Sequence, residues 1–519
     1  MALNDIVINK QQGGLGRPLS GSDYISGAVF FTGNLPAGFT STYNKKQIFS
    51  VSQAESLGIL NDYSDETKAT GKYVISTAGA TGDTATITVT EPTIQSGITR
   101  SVDLGTYTVA SGVTTIAAQG AAWAAVINAG TLTHGYTASF TTAALTIAAR
   151  AGMGVSLNSG TPIAVTLSAG ATMAGTVTQF GGSGMVAGVA SKLALWYYHI
   201  SEYFRIQPKG NLWVGFYPVP STYTYTEITD LQTYAQGTIR QMLVYNDVAR
   251  TANEVSSDCT ALQAAQATSE GQKMPFSVIY SPNIKAISDL STLNNLGNLT
   301  ANKVSVCISQ DAGGQGAWLY LTEGKSITTG GALLGAVSLA KVSEDIAWVA
   351  KFNISNGVEC DTVGFSNGVL FTAAATNLVS QLNSYRYIFL RKFTNLAGSY
   401  FNDSHCAVIE SSDYAYIENN RTIDKAVRNA YVALLPQLNS PLTLNADGTL
   451  TNITIAYFTG LLDSGLAQMV RNGELSAYAV TIDPDQDVLT TSTIVVSISL
   501  LPNGVARNII VNIGFTTSL

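Results

Sequence analysis

The chain has 519 residues, of which 46% are hydrophobic and 12% charged, enough apolar material for about three or four domains at roughly half the usual ~25% charge. That balance excludes a disordered chain, and 48 glycines without a three-residue period exclude collagen. A net charge of −7 with no cluster of Lys and Arg argues against a nucleic-acid partner.

The first residues lack the basic and apolar regions of a secretory signal, so a soluble protein made in a cytoplasm is expected. Residues 3–9, including Ile6, Val7 and Ile8, read as a strand, and Gly13, Gly14 and Gly16 read as a flexible tether; together they give an N-terminal arm over 1–20. An α/β core domain is expected over 21–72 and 186–395, interrupted by an insert at 73–185. Within the insert the charged residues are Asp83, Glu91, Arg100, Asp103 and Arg150, and alternation such as Ala85, Ile87, Val89 predicts half-buried strands. Residues 117–129 are Ala-rich and predict a short helix. In the core, near-continuous apolar runs at 212–217, 241–245, 276–280 and 304–308 alternate with helical patterns at 227–237, 253–269 and 284–293. That alternation predicts a largely parallel sheet.

A C-terminal domain is expected over 396–519. Ile423, Val427, Tyr431, Leu434 and Leu438 fall on one face of a predicted helix, and 453–470 predicts a second. Strands follow at 477–482 and 494–500. The latter is read as a hairpin with 506–515 around Pro502, Asn503 and Gly504. The fold class is thus α/β and α+β multidomain, with strand-forming arms and a β-rich insert. No uncharged apolar run reaches the ~18 residues of a membrane span; residues 333–350 come nearest, and Lys341, Glu344 and Asp345 interrupt them. A lone terminal strand needs a sheet edge for its backbone groups, whether in its own chain or on a neighbour.

Chemistry-bearing motifs are sparse. Cys259, Cys307, Cys360 and Cys406 are widely spaced and read as buried free thiols. His134, His199 and His405 show no metal-ligand spacing. Gly364-Phe365-Ser366-Asn367-Gly368 matches a nucleophile elbow, with His405 as the sole downstream histidine and Asp403 too close to it to serve as the triad acid. Asp483, Asp485 and Asp487 alternate as in a calcium loop but lack its glycine and closing glutamate. The Asp311–Gly316 run is Gly-rich after a strand yet fits neither nucleotide fingerprint. No catalytic residue, metal or cofactor is predicted, and the chain is not read as an enzyme.

The order of segments resembles the tail sheath proteins of contractile bacteriophages and related injection machines. The resemblance is carried by Asn420-Arg421-Thr422-Ile423-Asp424 opening a helix and by Leu461-Leu462-Asp463-Ser464-Gly465 through Gly473-Glu474-Leu475. Tyr478-Ala479-Val480-Thr481-Ile482-Asp483 and Leu500-Leu501-Pro502-Asn503-Gly504 follow, and the N-terminal strand with its glycine tether matches the layout at the other end. The resemblance implies a self-polymerising subunit in stacked hexameric rings around a tail tube protein. Its further partners would be baseplate and tail terminator proteins, with neither nucleic-acid binding nor membrane insertion. It implies a place in the virion tail after assembly in a host cytoplasm, and a contraction that drives the tube through a cell envelope. It further implies strand exchange between subunits through Ile6, Val7, Ile8, Ile509, Val511 and Ile513, hinges at Gly13, Gly14 and Gly16, and a tube-facing C-terminal domain with Lys425, Arg428 and Arg471 as candidate contacts. The alternative is a virion or cell-surface adhesin or decoration protein whose insert binds a glycan or protein.

Overall fold

The computed structural model describes residues 21–33, 35–60, 67–150, 153–189 and 194–516. Ile6, Val7, Ile8, Gly13, Gly14 and Gly16 lie outside the described residues.

A seven-stranded sheet forms the core. Its order is Tyr387–Ile388, Val304–Cys307, Ser277–Asn283, Gln241–Ala249, Ile25–Phe31, Asn211–Tyr217 and Lys45–Ile48. All pairings are parallel except the last, where Lys45–Ile48 runs antiparallel on the edge. The predicted parallel sheet is therefore present, and it has a further interior strand, Ile25–Phe31, between Gln241–Ala249 and Asn211–Tyr217. That strand follows from its side chains: Ala28 and Phe30 enter one core and Val29 and Phe31 the other, so it is buried on both faces. Helices Glu227–Tyr234 and Ala252–Gly271 cover one face, and helices Ala194–Ile206 and Gly330–Leu339 the other. The helix predicted at 284–293 is absent apart from a 3-10 turn at Leu290–Thr292. There Asn283 and Asp289 carboxamide and carboxylate oxygens accept from the Lys285 and Ser291 backbone N–H groups, which competes with helix formation.

Helix Gly330–Leu339 approaches helix Ala194–Ile206 through glycines. A Cβ on Gly331 would lie 2.1 Å from the His199 carbonyl oxygen, and one on Gly335 2.9 Å from that of Tyr203. The two helices are thus in backbone contact over the sheet, which is why this apolar run is a core element.

The insert has its own core. A four-stranded antiparallel sheet (Thr137–Thr141, Ala144–Ala148, Thr70–Thr77, Ala174–Thr178) faces a three-stranded one (Thr99–Thr108, Thr84–Pro92, Ile163–Leu167). Helix Ile116–Ala129 packs Trp123 between Tyr73 and Tyr107. A bridge from Thr67 to Val189 closes the insert slightly outside the predicted boundaries. Its hairpin tip is plugged into the main body. Ile94 packs with Tyr198, Trp318 and Leu370, and the Gln95 side-chain oxygen accepts from the Leu370 N–H at 3.1 Å. Gly364 and Gly368 make room for this tip, since a Cβ on either would fall 2.8 Å from Ile94 Cδ1 or 2.7 Å from the Ile94 carbonyl oxygen. The glycines of the apparent nucleophile elbow thus serve domain docking.

In the C-terminal region helix Ile417–Leu434 packs antiparallel on helix Asn452–Arg471, and both support a two-stranded sheet. Helix Asn452–Arg471 is, by length and composition, apolar enough to cross a membrane; Phe458, Leu462, Leu466 and Met469 form its buried face.

Gly331→Ala is expected to lower stability by about 2 kcal/mol or more, because the clash is with backbone. Gly460→Ala, on helix Asn452–Arg471 where a Cβ meets open space, should raise it by roughly 0.5–1 kcal/mol. Denaturant titration followed by tryptophan fluorescence checks both signs.

Candidate arm-anchoring and strand-accepting site

Strands Ala477–Thr481 and Ser497–Leu501 pair antiparallel, Ala477 with Leu501 through Thr481 with Ser497. Alternation fixes which face is inward: Tyr478, Val480, Ile498 and Leu500 pack on the helices, while Ala477, Ala479, Ser497 and Ser499 face out. Neither strand has a second neighbour among the described residues. Both outer edges therefore carry unpaired backbone groups, and a cleft of about 550 Å³ runs along the Ala477–Val480 edge, walled by Asp463, Ala467, Val470 and Arg471. A two-strand ribbon is marginal alone; here helix packing supports it.

The hairpin predicted between 494–500 and 506–515 is not formed. The Ser497–Leu501 strand takes Ala477–Thr481 as its partner, and residues 506–516 enter no ladder. Gly504 does not adopt the positive φ that a tight hairpin turn needs. Instead the Asn503 side chain donates to the Gly473 carbonyl at 2.7 Å, and the chain then turns towards Arg507. Beyond it Ile509 is 81% exposed, Val511 70% and Ile513 92%. Three large apolar side chains thus sit exposed on one segment that has no ladder partner among the described residues.

Arg507 anchors this segment. Its guanidinium donates to Asp403 at 3.0 and 3.2 Å and to Glu418, pairs with Asp345 at 3.3 Å, and lies 3.5 Å above the Tyr416 ring. One cation thus answers three carboxylates. Glu418, at the start of helix Ile417–Leu434, also accepts from the Ser404 hydroxyl at 2.5 Å. Burial, together with the neighbouring Glu418 and Asp403 charges, pushes the Asp345 carboxyl up to about 7.

The other end of the described chain shows the opposite arrangement. The Asp23 carboxylate accepts from Lys425 at 2.6 Å and Arg428 at 2.8 Å, and its carbonyl accepts from Arg421 at 3.1 Å. Burial acts to raise the Asp23 pKa, but the Lys425 hydrogen bond and the charges of Lys425, Arg428 and Arg421 outweigh it and hold the carboxyl below its ordinary value. Lys425 is shared with Glu474 at 2.7 Å. Asp424 on the same helix pairs with Lys303, both buried, at 2.5 Å, which ties the helix to the main sheet.

Helix Ile417–Leu434 turns much of its charged face inward. Glu418, Arg421 and Asp424 are buried, whereas Val427 and Tyr431 of the predicted apolar face are 46% and 43% exposed, and Leu438 beyond the helix end is 73% exposed. Paired charges face the body because their partners lie there. Among the candidate tube contacts, Lys425 and Arg428 are engaged within the chain, while Arg471 is exposed and donates to the Gln468 side chain. Asp23 and Arg507 escaped the sequence reading, although each stands out: Asp23 is the sole charge between Arg17 and Lys45, and Arg507 the sole charge after Asp487.

The motifs resembling enzyme sites are otherwise employed. Ser366 is buried and, among the described residues, no hydrogen bond joins it to His405, whose Nε2 meets Asn383 at 3.1 Å. The Asp311 carboxylate accepts from the Gly313, Gly314, Gly316 and Cys360 N–H groups, so the chain's own anion fills that Gly-rich turn. Asp483 and Asp487 accept from the Asp485 and Thr490 N–H groups as turn and helix caps. The four cysteines are free and buried, as expected. No group suited to a metal occurs among the described residues.

Comparison with known proteins places the chain in a family. The family described as "DUF2586, N-terminal domain" matches residues 3–405, and "DUF2586, C-terminal domain" matches residues 413–519. The chain belongs to the DUF2586 family. No curated protein matches it. Among solved structures, it is similar to a chain of the anti-feeding prophage baseplate at 16% identity, with 65% of this chain and 85% of that chain covered and a TM-score of 0.42. The anti-feeding prophage helical sheath in its contracted state gives 16% identity, 62% and 81% coverage and a TM-score of 0.42. The sheath tail protein of Listeria innocua gives 10% identity, 94% and 96% coverage and a TM-score of 0.39.

An acid whose pKa rises on folding stabilises the fold most below its unfolded value of about 3.9 and loses that contribution as pH climbs through its folded value. With the Asp345 carboxyl at about 7, Asp345→Asn should therefore melt higher than the wild type at pH 8, with the gap closing towards pH 4. Calorimetry across that range checks it; a lower melting point at pH 8 would contradict the charge balance described.

Proposed function

We propose that the chain is a contractile tail sheath subunit of a virion or phage-like particle, which polymerises helically around a tail tube and links its copies by strand exchange. One observation carries the reading. Among the described residues, the C-terminal segment presents Ile509, Val511 and Ile513 to solvent without a ladder partner, and the two-stranded C-terminal sheet has no further strand on either edge. An apolar strand and an unpaired edge are complementary, because main-chain ladder bonds tolerate many sequences and alternate side chains supply register. In this reading Ile509, Val511 and Ile513 of one copy and Ile6, Val7 and Ile8 of another add to the Ala477–Thr481 and Ser497–Leu501 ribbon of a third. Gly13, Gly14 and Gly16 give the slack that lets bodies rotate while ladders hold.

The resemblance of segment order to sheath proteins supports the same assignment and supplies its partners: a tube protein, a baseplate and a tail terminator. Arg471 and the exposed stripe of Val427, Tyr431 and Leu438 are the candidate tube contacts, since Lys425 and Arg428 are occupied by Asp23. The subunit is structural, with no catalytic step assigned to it. The insert, held by the Ile94 plug, rides as a fixed appendage.

Electron microscopy of the expressed chain is expected to show hollow, striated cylinders. Removing residues 508–519 should leave a folded protein that sediments as a monomer. Cylinders of normal length from that truncation would refute strand donation by the C-terminal arm.

A further inference from the structure

We infer that Asp23 and Arg507 are positioning residues, each pinning the root of one terminal arm to helix Ile417–Leu434 so that the two arms leave the body in a fixed mutual orientation. The purpose of this arrangement rests on the strand-exchange reading; the pinning itself rests on the ion pairs.

A terminal segment departs from wherever its root is held. On the N-terminal side the most heavily bonded root residue is Asp23. Its carboxylate is bound by Lys425 and Arg428, and its carbonyl accepts from both Arg421 and Gln241. Two residues later the chain enters the interior strand Ile25–Phe31. On the C-terminal side it is Arg507, held by Asp345, Asp403 and Glu418. Glu418, Arg421, Lys425 and Arg428 all belong to one 18-residue helix, which Asp424 and Lys303 fasten to the sheet. A pull on either arm therefore reaches the other through a single rigid helix.

The signs of the charges make each station selective. The N-terminal root sets Asp23 among Arg421, Lys425 and Arg428, with Glu474 sharing Lys425, and the C-terminal root is one base among three acids. Exchanging the roots would set Asp23 against Asp345, Asp403 and Glu418, and Arg507 against Arg421, Lys425 and Arg428. Like-charge contact in a half-buried site is strongly unfavourable. Each arm is thereby assigned its own exit, which matters where ends from several copies converge on one sheet.

The test uses the full-length chain. Removing Arg507 alone leaves three carboxylates uncompensated, so the informative variant is Arg507→Met combined with Asp345→Asn and Glu418→Gln; Asp23→Asn tests the other root. Hydrogen exchange by mass spectrometry is read at 503–510, at 21–26 and at 241–249 in the central sheet. In the triple variant exchange at 503–510 should rise about tenfold, the scale for loss of a charged hydrogen bond at a local opening, while 241–249 stays unchanged. Asp23→Asn should do the same at 21–26. Cylinder yield should fall in both, and Arg507→Lys should restore part of it relative to Arg507→Met. Unchanged exchange at the roots, or an increase spread evenly over 241–249, overturns the inference whatever the cylinders do. A wild-type chain that forms no cylinders sinks the sheath reading instead, and the exchange data still decide the pinning.

Discussion

The structure depends on the requirement that a buried charge be answered by an opposite one. Helix Ile417–Leu434 carries Glu418, Arg421, Asp424, Lys425 and Arg428 towards the body, in a chain with few charges overall. Four are ion-paired, Glu418 with Arg507, Asp424 with Lys303, and Lys425 and Arg428 with Asp23, while Arg421 donates to the backbone carbonyl oxygens of Asp23, Ala340 and Lys341. Breaking one side of such a pair is costly, typically about 3–5 kcal/mol, because the partner is left uncompensated. This one requirement fixes the C-terminal region on the main sheet and also fixes where both chain ends depart.

Polar anchoring at one helix is matched by close apolar packing elsewhere. Gly331 and Gly335 bring two helices into backbone contact over the sheet, and Gly364 and Gly368 admit the Ile94 tip of the insert. The insert is thus held by its two chain connections and by a plug. Its Glu91 carboxylate is buried among Arg100, Arg150 and the Tyr136 hydroxyl, so the tip is presented by a stiff hairpin. Main body, insert and C-terminal region are joined by contacts of different kinds, each specified by a few residues.

Much of this was legible in the sequence where one physical signal dominated. Continuous apolar runs gave the parallel strands, Thr alternation gave the insert, and the Ala-rich stretch gave helix Ile116–Ala129. The readings that failed were those where a distant partner decides. Ile25–Phe31 was passed over because its partners, Asn211–Tyr217 and Gln241–Ala249, lie far along the chain. For helix Ile417–Leu434, periodicity reports which residues share a face and not which face is covered. Ion pairing to Asp23, Lys303 and Arg507 turned the charged side inward. The arm-root residues lay in plain view as isolated charges, but their meaning required knowing that one helix gathers both.

Among the described residues the tail does not close on its own sheet. Ser497–Leu501 has a free outer edge, and an apolar segment follows it within a few residues, so an intramolecular hairpin would bury exposed side chains at small loop cost. Instead Arg507 is bound by Asp403 and Glu418, and among the described residues the segment after it joins no ladder. An edge kept open beside an apolar strand is an aggregation hazard in an isolated protein. Here it lies beside the ionic cluster that Arg507 forms with Asp345, Asp403 and Glu418.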